Sequence, residues 1–366
     1  MYRVEFTATE EVHCAIRELG RTEDVKFSPD SRRLAVLGYY RDKIVIFDVD
    51  INTSSAGIRV NLTGCQEITS SCLRKPHGLS FIDDDTLVVA NLNGEVPLLK
   101  LPPAGTAGGK WNLSAEHSLR NGSTSLLHAP SSVAVMHLDQ SHYDLLVCNN
   151  KTSYVTRHSL ERGERFVTKG SEVFLKRDLN IPDGVAINRD RRWIAISNHN
   201  EHNVYLYENV PGLNPDSKPD GILQNVNFPH GVRFTPDDNF VLVADAGSPF
   251  VNLYAKNGDS WKGSRGPTST FRVMDEEVYL RGRTNPQEGG PKGLDVDRNM
   301  NVMVTSSVEQ RLAFFDLQAM LKQRSVPLEW RKVSLNWRID RVREKVRPVR
   351  NNLALRTRLR RLRGIK

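Results

Sequence analysis

Short apolar stretches alternate with polar turns along most of the chain, and the alternation has the period of strands. Six segments repeat one order: an apolar strand, a turn rich in Asp, Asn and Pro, a second strand, a short loop and a third strand. They open at Glu23-Asp-Val-Lys-Phe, Pro76-His-Gly-Leu-Ser-Phe, Pro130-Ser-Ser-Val-Ala-Val, Pro182-Asp-Gly-Val-Ala-Ile, Pro229-His-Gly-Val-Arg-Phe and Pro291-Lys-Gly-Leu-Asp-Val. Second strands such as Leu87-Val-Val-Ala and Val241-Leu-Val-Ala follow, then third strands such as Ile44-Val-Ile-Phe and Val204-Tyr-Leu-Tyr. The residues Glu23, His77, Ser131, Asp183, His230 and Lys292 mark the starts, spaced 54, 54, 52, 47 and 62 apart.

Units of this size hold four short strands. Ser171–Lys176 and Ile222–Asn227 read as fourth strands. Six such units predict an all-β fold, a six-bladed β-propeller closed on itself so that strand edges are protected. Six repeats in phase disfavour a two-layer sandwich. The sixth unit shows only three strands before a predicted helix at Leu317–Arg324. Its fourth strand is expected from the N-terminus, at Tyr2–Thr7 or Val12–Arg17, which would fasten the first residues to the last. The organisation predicted is a propeller over residues 1–317 and an extension over 318–366.

Geometry then gives the polar residues a meaning. In a propeller the loop entering each innermost strand and the loop leaving each second strand emerge on one face. The entering positions are the six repeat starts; the leaving positions, 14, 15 or 18 residues later, are Gly38, Asn91, Asn149, Asn198, Asp245 and Ser306. Two rings from distant stretches should therefore surround one channel mouth. Glu23, His77, Asp183 and His230 could hold a divalent ion, with Asn91, Asn149, Asn198 and Asp245 as a ligand-binding rim. Oxygen donors suit Ca²⁺ or Mn²⁺, and imidazole shifts the preference toward Zn²⁺ or Mn²⁺. Such an ion would assist hydrolysis of a lactone or ester, with His77 or His230 as base and Lys292 steadying an oxyanion. The same residues could instead cap neighbouring blades and solvate the channel without any ligand. His199 and His202, three apart in a loop, make only a faint metal signal.

The recurrent Pro-His/Asp-Gly-Val/Leu phrase resembles that of the NHL-repeat and gluconolactonase/paraoxonase-like six-bladed propellers over residues 22–317. The resemblance implies a metal at the top of the channel, held by a first-blade Glu, Asn residues and an Asp. Glu23 stands at the matching position of the first unit, and Asp183 in Pro182-Asp-Gly matches the ligand Asp. The family's blade-start Asn ligands have no counterpart here, where His77, Ser131 and His230 stand instead. NHL-type peptide-amidating lyases bind zinc through channel histidines, so the exchange is compatible with metal. This fold hosts many functions.

Charge adds a second feature. The 366 residues carry a net +8, yet residues 331–366 hold fourteen Lys/Arg against two Asp/Glu, leaving a slightly acidic body of net −4. Leu355, Leu359 and Leu362 fall at helical spacing among arginines. Residues 341–366 are thus expected to dock on an anionic membrane surface or an acidic protein. The lack of interleaved aromatics disfavours nucleic acid. Cys14, Cys65, Cys72 and Cys148 form no metal-type pair, and no leader opens the chain, so the expected location is cytoplasmic, including the inner face of the membrane. No GxSxG, Walker A, GxGxxG or HExxH is present. Two functions remain open: a metal-dependent lactonase- or esterase-like hydrolase (or lyase) of a small molecule, and a non-catalytic protein- or glycan-binding propeller localised by its tail.

Overall fold

A computed structural model describes residues 2–322 except 56, 106–107, 121–125 and 286. The compact unit is Met1–Arg324, and Ser325–Lys366 form a second unit that lies outside the described residues, as does the predicted basic helix. Six sheets, antiparallel among their inner strands, follow one another along the chain. The innermost strands are Thr22–Phe27, Pro76–Asp83, Pro130–His137, Pro182–Ile187, Pro229–Phe234 and Gly293–Val296. The fold is the predicted six-bladed propeller.

The N-terminal closure is present. Arg3–Val4 pairs antiparallel with Ala313–Asp316, in register Arg3 with Phe315, and completes the sixth blade. The alternative donor, Val12–Arg17, is helical instead, within Glu10–Glu18. Thr9 caps that helix through the Val12 N–H, Glu10 and Glu11 favour its first turn, and only Val12 is buried among its residues. One apolar stripe on a polar segment is what a surface helix needs, and an edge strand would expose it.

Two blades carry strands beyond the four of the repeat, the first blade two of them, one being Phe6–Ala8 parallel to Val60–Leu62. Gly109–Asn112 adds parallel to the outer edge of the first blade, and Gly263–Arg265 adds parallel to the fourth. Both cover an open strand edge. The fourth strand expected at Ile222–Asn227 is shorter, Gly221–Leu223, and the C-terminal helix is described over Leu317–Lys322.

The core is divided among the blade interfaces. Val36, Val45 and Phe47 of the first blade pack with Val302 and Phe314 of the sixth. Leu37 and Ile46 meet Leu79 and Val89 across the next interface, and four further clusters fill the remaining ones. Cutting back one such buried Leu or Ile costs about 2–5 kcal/mol.

The Pro-x-Gly phrase has a steric cause. A Cβ on Gly184 would lie 2.1 Å from the His230 carbonyl oxygen, one on Gly231 2.6 Å from that of Lys292, and one on Gly78 2.5 Å from that of Ser131. Innermost strands meet backbone to backbone around the axis, and glycine permits it. Where the first and third blades have Asp24 and Ser132 instead, the side chain makes the bridge: Leu79 N–H donates to Asp24 Oδ2 (3.1 Å) and Val185 N–H to Ser132 Oγ (3.4 Å).

The turns after the innermost strands are equally regular. Ser28, Asn188, Thr235 and Asp297 each accept, through the side chain, the N–H five residues on, and Ser31, Arg191, Asp238 and Met300 take positive φ. This is why Asp, Asn, Ser and Thr recur there.

Candidate functional site

The six blade-start side chains converge at one end of the channel. All are buried: Glu23 is 0% exposed and the others no more than 6%. Glu23 Oε2 lies 3.4 Å from His230 Nε2, 3.9 Å from His77 Nε2 and 3.3 Å from Lys292 Nζ. Asp183 faces the other nitrogen of His77, with Oδ1 3.9 Å from Nδ1, and shares Nε2 of His230 with Glu23, its Oδ2 lying 3.2 Å away. The rings of His77 and His230 stack at 5.2 Å. Ser131, the remaining start, donates through Oγ to the Pro182 carbonyl (3.0 Å) and ties two blades together.

The expected second ring is displaced by one residue. Asn91, Asn149, Asn198 and Asp245 are buried within their blades, and each accepts a backbone N–H from the entering loop: Arg74, His128, Asn180 and Asn227 respectively. In every case the donor lies three residues before the blade start. These four side chains clasp the loops that aim the inner ring. The residues after the leaving positions face the site instead. Tyr39 sets its ring edge-on to His77, Asn150 donates to Asp183 Oδ1 (3.3 Å), and His199 Nδ1 lies 3.6 Å from Asp183 Oδ2. Their N–H groups are tied too, His199 to the Ile181 carbonyl and Asn150 to that of Ala129. Successive strand residues face opposite ways, so one step turns a clasp into a wall.

Two groups that the repeat did not reveal complete the network. Glu288 comes from the insertion before the sixth blade; its Oε1 lies 3.1 Å from His199 Nε2 and its Oε2 2.5 Å from Lys292 Nζ. Arg21 binds Glu23 Oε1 and stacks on Tyr39 and Tyr40. The 62-residue spacing that precedes Lys292 is the longest of the five, and it was the one available sign that this insertion does more than connect. His202 does not join: it accepts the Phe228 N–H at 3.1 Å.

Burial raises the carboxyl of Glu23, but Lys292, His230, His77 and Arg21 outweigh it and hold the group well below the usual carboxylate range. Asp183 is likewise lowered, burial being outweighed by the three histidines and Lys292. Glu288 is lowered strongly, with Lys292 and His199 overcoming its desolvation. Burial lowers His230, more than Asp183 can restore. His199 is raised, because Glu288 and Asp183 overcome its burial. The site therefore combines ionised carboxylates, a neutral imidazole at His230 and an imidazole at His199 biased toward the charged form.

Glu23 Oε2 and His230 Nε2 are among the buried atoms of this network that lack hydrogen-bond geometry to any described group. With a His77 nitrogen they lie within 4.8 Å of one another. Bonds of about 2.0–2.2 Å to a shared ion put neighbouring donors about 3.0–3.6 Å apart; Glu23 to His230 is 3.4 Å, and Glu23 to His77, at 3.9 Å, would have to close slightly. The donor set fits a divalent ion, and two imidazoles with carboxylates favour Zn²⁺ or Mn²⁺ over Ca²⁺.

Below the ring lies a cavity lined by Glu23, Asp24, Lys26, His77, Asp183 and His230, with room for about one water-sized sphere. Farther along the axis, Lys26 pairs with Asp24 (2.7 Å) and Arg233 with Asp295 (2.5 Å).

The model of the SMP-30/gluconolactonase/LRE-like region matches residues 114–334, more than half of the chain. The chain belongs to this family. The matched stretch includes Asp183, His199, His230, Glu288 and Lys292, while Glu23 and His77 precede it. Among solved structures, a candidate 6-phosphogluconolactonase from Bacteroides fragilis is similar, with a TM-score of 0.51, 12% identity, and coverage of 80% of this chain and 79% of that one. At this identity the likeness concerns the fold. No curated protein matches the chain significantly in sequence. Among the described residues no helix is long and apolar enough to cross a membrane.

Proposed function

We propose that the propeller binds a divalent cation at Glu23, His77 and His230, with Asp183 beside them, and uses it to hydrolyse a small lactone or ester at the channel mouth. The reading rests on one observation: Glu23 Oε2 and His230 Nε2, buried and without a hydrogen bond to a described group, converge with a nitrogen of His77. Groups buried without hydrogen bonds are costly, and a shared ion would hold all three. Membership of a family that includes gluconolactonase supports the lactone class.

A bound divalent ion would supply the charge that polarises an acyl carbonyl and acidifies a water. The chain's own residues do the rest. Glu23, His77 and His230 act as donors, which leaves His77 and His230 no longer available as bases. Asp183 contacts both His230 and His199 and orients them. Water's oxygen bonds to the acyl carbon and the ester bond breaks; His199, held toward its charged form, gives its proton to the departing alkoxide, and the proton that the water sheds restores it. Lys292, beside Glu23, would steady negative charge developing on oxygen.

A second reading has its own support. The ring residues are almost wholly buried and the cavity admits little more than water, which suits a non-catalytic propeller binding protein or glycan through its faces and localised by residues 341–366. Metal content and hydrolysis distinguish the two. Metal-replete protein is expected to hold one ion per chain and to open γ- or δ-lactones, with both properties lost in Glu23→Gln and His230→Ala. Absence of stoichiometric metal, with no turnover across a lactone and ester panel, would leave the binding reading.

A further inference from the structure

The ring already contains a cation. Lys292 Nζ is 3.3 Å from Glu23 Oε2, the oxygen that also faces His77 and His230. It is buried (3% exposed) and holds a second carboxylate, Glu288 Oε2, at 2.5 Å. Two like charges cannot share the environment of one oxygen without strong repulsion in a desolvated site.

We infer that Lys292 is the resident cation of this ring, and that a divalent ion enters by exchange, the ammonium leaving Glu23 for Glu288. The inference rests on the cation reading above. Geometry supports it. Three carboxylates meet here, Glu23, Asp183 and Glu288. Lys292 bridges Glu23 and Glu288, and its nearer partner is already Glu288. Arg21 is no substitute: it binds the other oxygen of Glu23 and is anchored on Tyr39 and Tyr40. Glu288 is thus a positioning residue for the metal site that never touches the ion.

Two substitutions move affinity in opposite directions. Lys292→Met removes the competitor, and full-length protein should bind Zn²⁺ or Mn²⁺ at least about tenfold more tightly. Glu288→Gln removes the alternative partner of the ammonium and should weaken binding by about tenfold. Equilibrium dialysis against each metal reads both, with thermal melting as a check on folding. Wild-type binding that Lys292→Met leaves unchanged would overturn the exchange while leaving the cation site standing. Absence of binding to wild type and both variants would overturn the site and the exchange together. Should Lys292→Met fail to fold, Glu288→Gln decides, and unchanged affinity there refutes the inference.

Discussion

Asp245 occupies the position that the second, third and fourth blades give to Asn91, Asn149 and Asn198. Those amides accept one N–H and also donate, Asn91 to the Cys72 and Glu95 carbonyls and Asn198 to that of Asp178. An ionised carboxylate cannot donate, and Asp245 Oδ1 has no hydrogen-bond partner among the described residues. Burial pushes its carboxyl up to about 7, against the pull of the Asn227 N–H. Unfolded, the group ionises near 3.8. Between these values the unfolded chain gives up its proton first, so stability falls as pH rises, and levels off above about 7. Asp245→Asn should stabilise the protein by on the order of 3 kcal/mol above neutral pH and by little at pH 4. Urea melts at both ends check this, and a pH-independent gain would contradict it. Ile181 offers a second case. Its φ of 55° is unfavourable for a β-branched residue, yet it aims the carbonyl that holds His199. Ile181→Asn should raise stability by about 1 kcal/mol, because Asn tolerates this conformation.

Between elements, contact around the axis sets the geometry of the ring. Gly184→Ala would force the fourth and fifth blades apart beside Asp183 and His230. A loss of about 3 kcal/mol is expected, accompanied by weakened metal binding; an unchanged denaturation midpoint would show that the strands do not meet there. The repeat made this layer legible. Periodic apolar runs placed the innermost strands, and the phrase around Gly78, Gly184, Gly231 and Gly293 marked the entries to the ring, so Glu23, His77, Asp183, His230 and Lys292 could be read before any coordinates. The facing of the Asn series was not legible, because a single step along a strand reverses which way a side chain points, and a one-dimensional pattern cannot choose between Asn198 and His199. Glu288 escaped for another reason. It belongs to an insertion outside the period, and only folding brings it beside His199 and Lys292. The parallel strands Gly109–Asn112 and Gly263–Arg265 are likewise non-repeating.

For the whole molecule, closure depends on a few residues. Arg3–Val4 completes the sixth blade, Phe6–Ala8 pairs with Val60–Leu62 of the first, and Val4 is buried in the cluster that joins those two blades. Deleting residues 1–8 should lower stability by several kcal/mol, broaden the melting transition and leave blades two to five comparatively protected in hydrogen exchange. A single sharp transition at the original midpoint would show that the ring closes without this strand.

The same fastening imposes an order on biosynthesis. The partner of Arg3 is Phe315, so Arg3 leaves the ribosome long before the residue that gives it its place. Until then the nascent chain is an open arc whose two terminal flanks bare apolar surface and unpaired edges, the kind of intermediate that aggregates or recruits chaperones. Slow translation of the stretch that precedes Phe315 should therefore prolong exposure, and yield on expression should depend more on holding that arc soluble than on the stability of the finished ring.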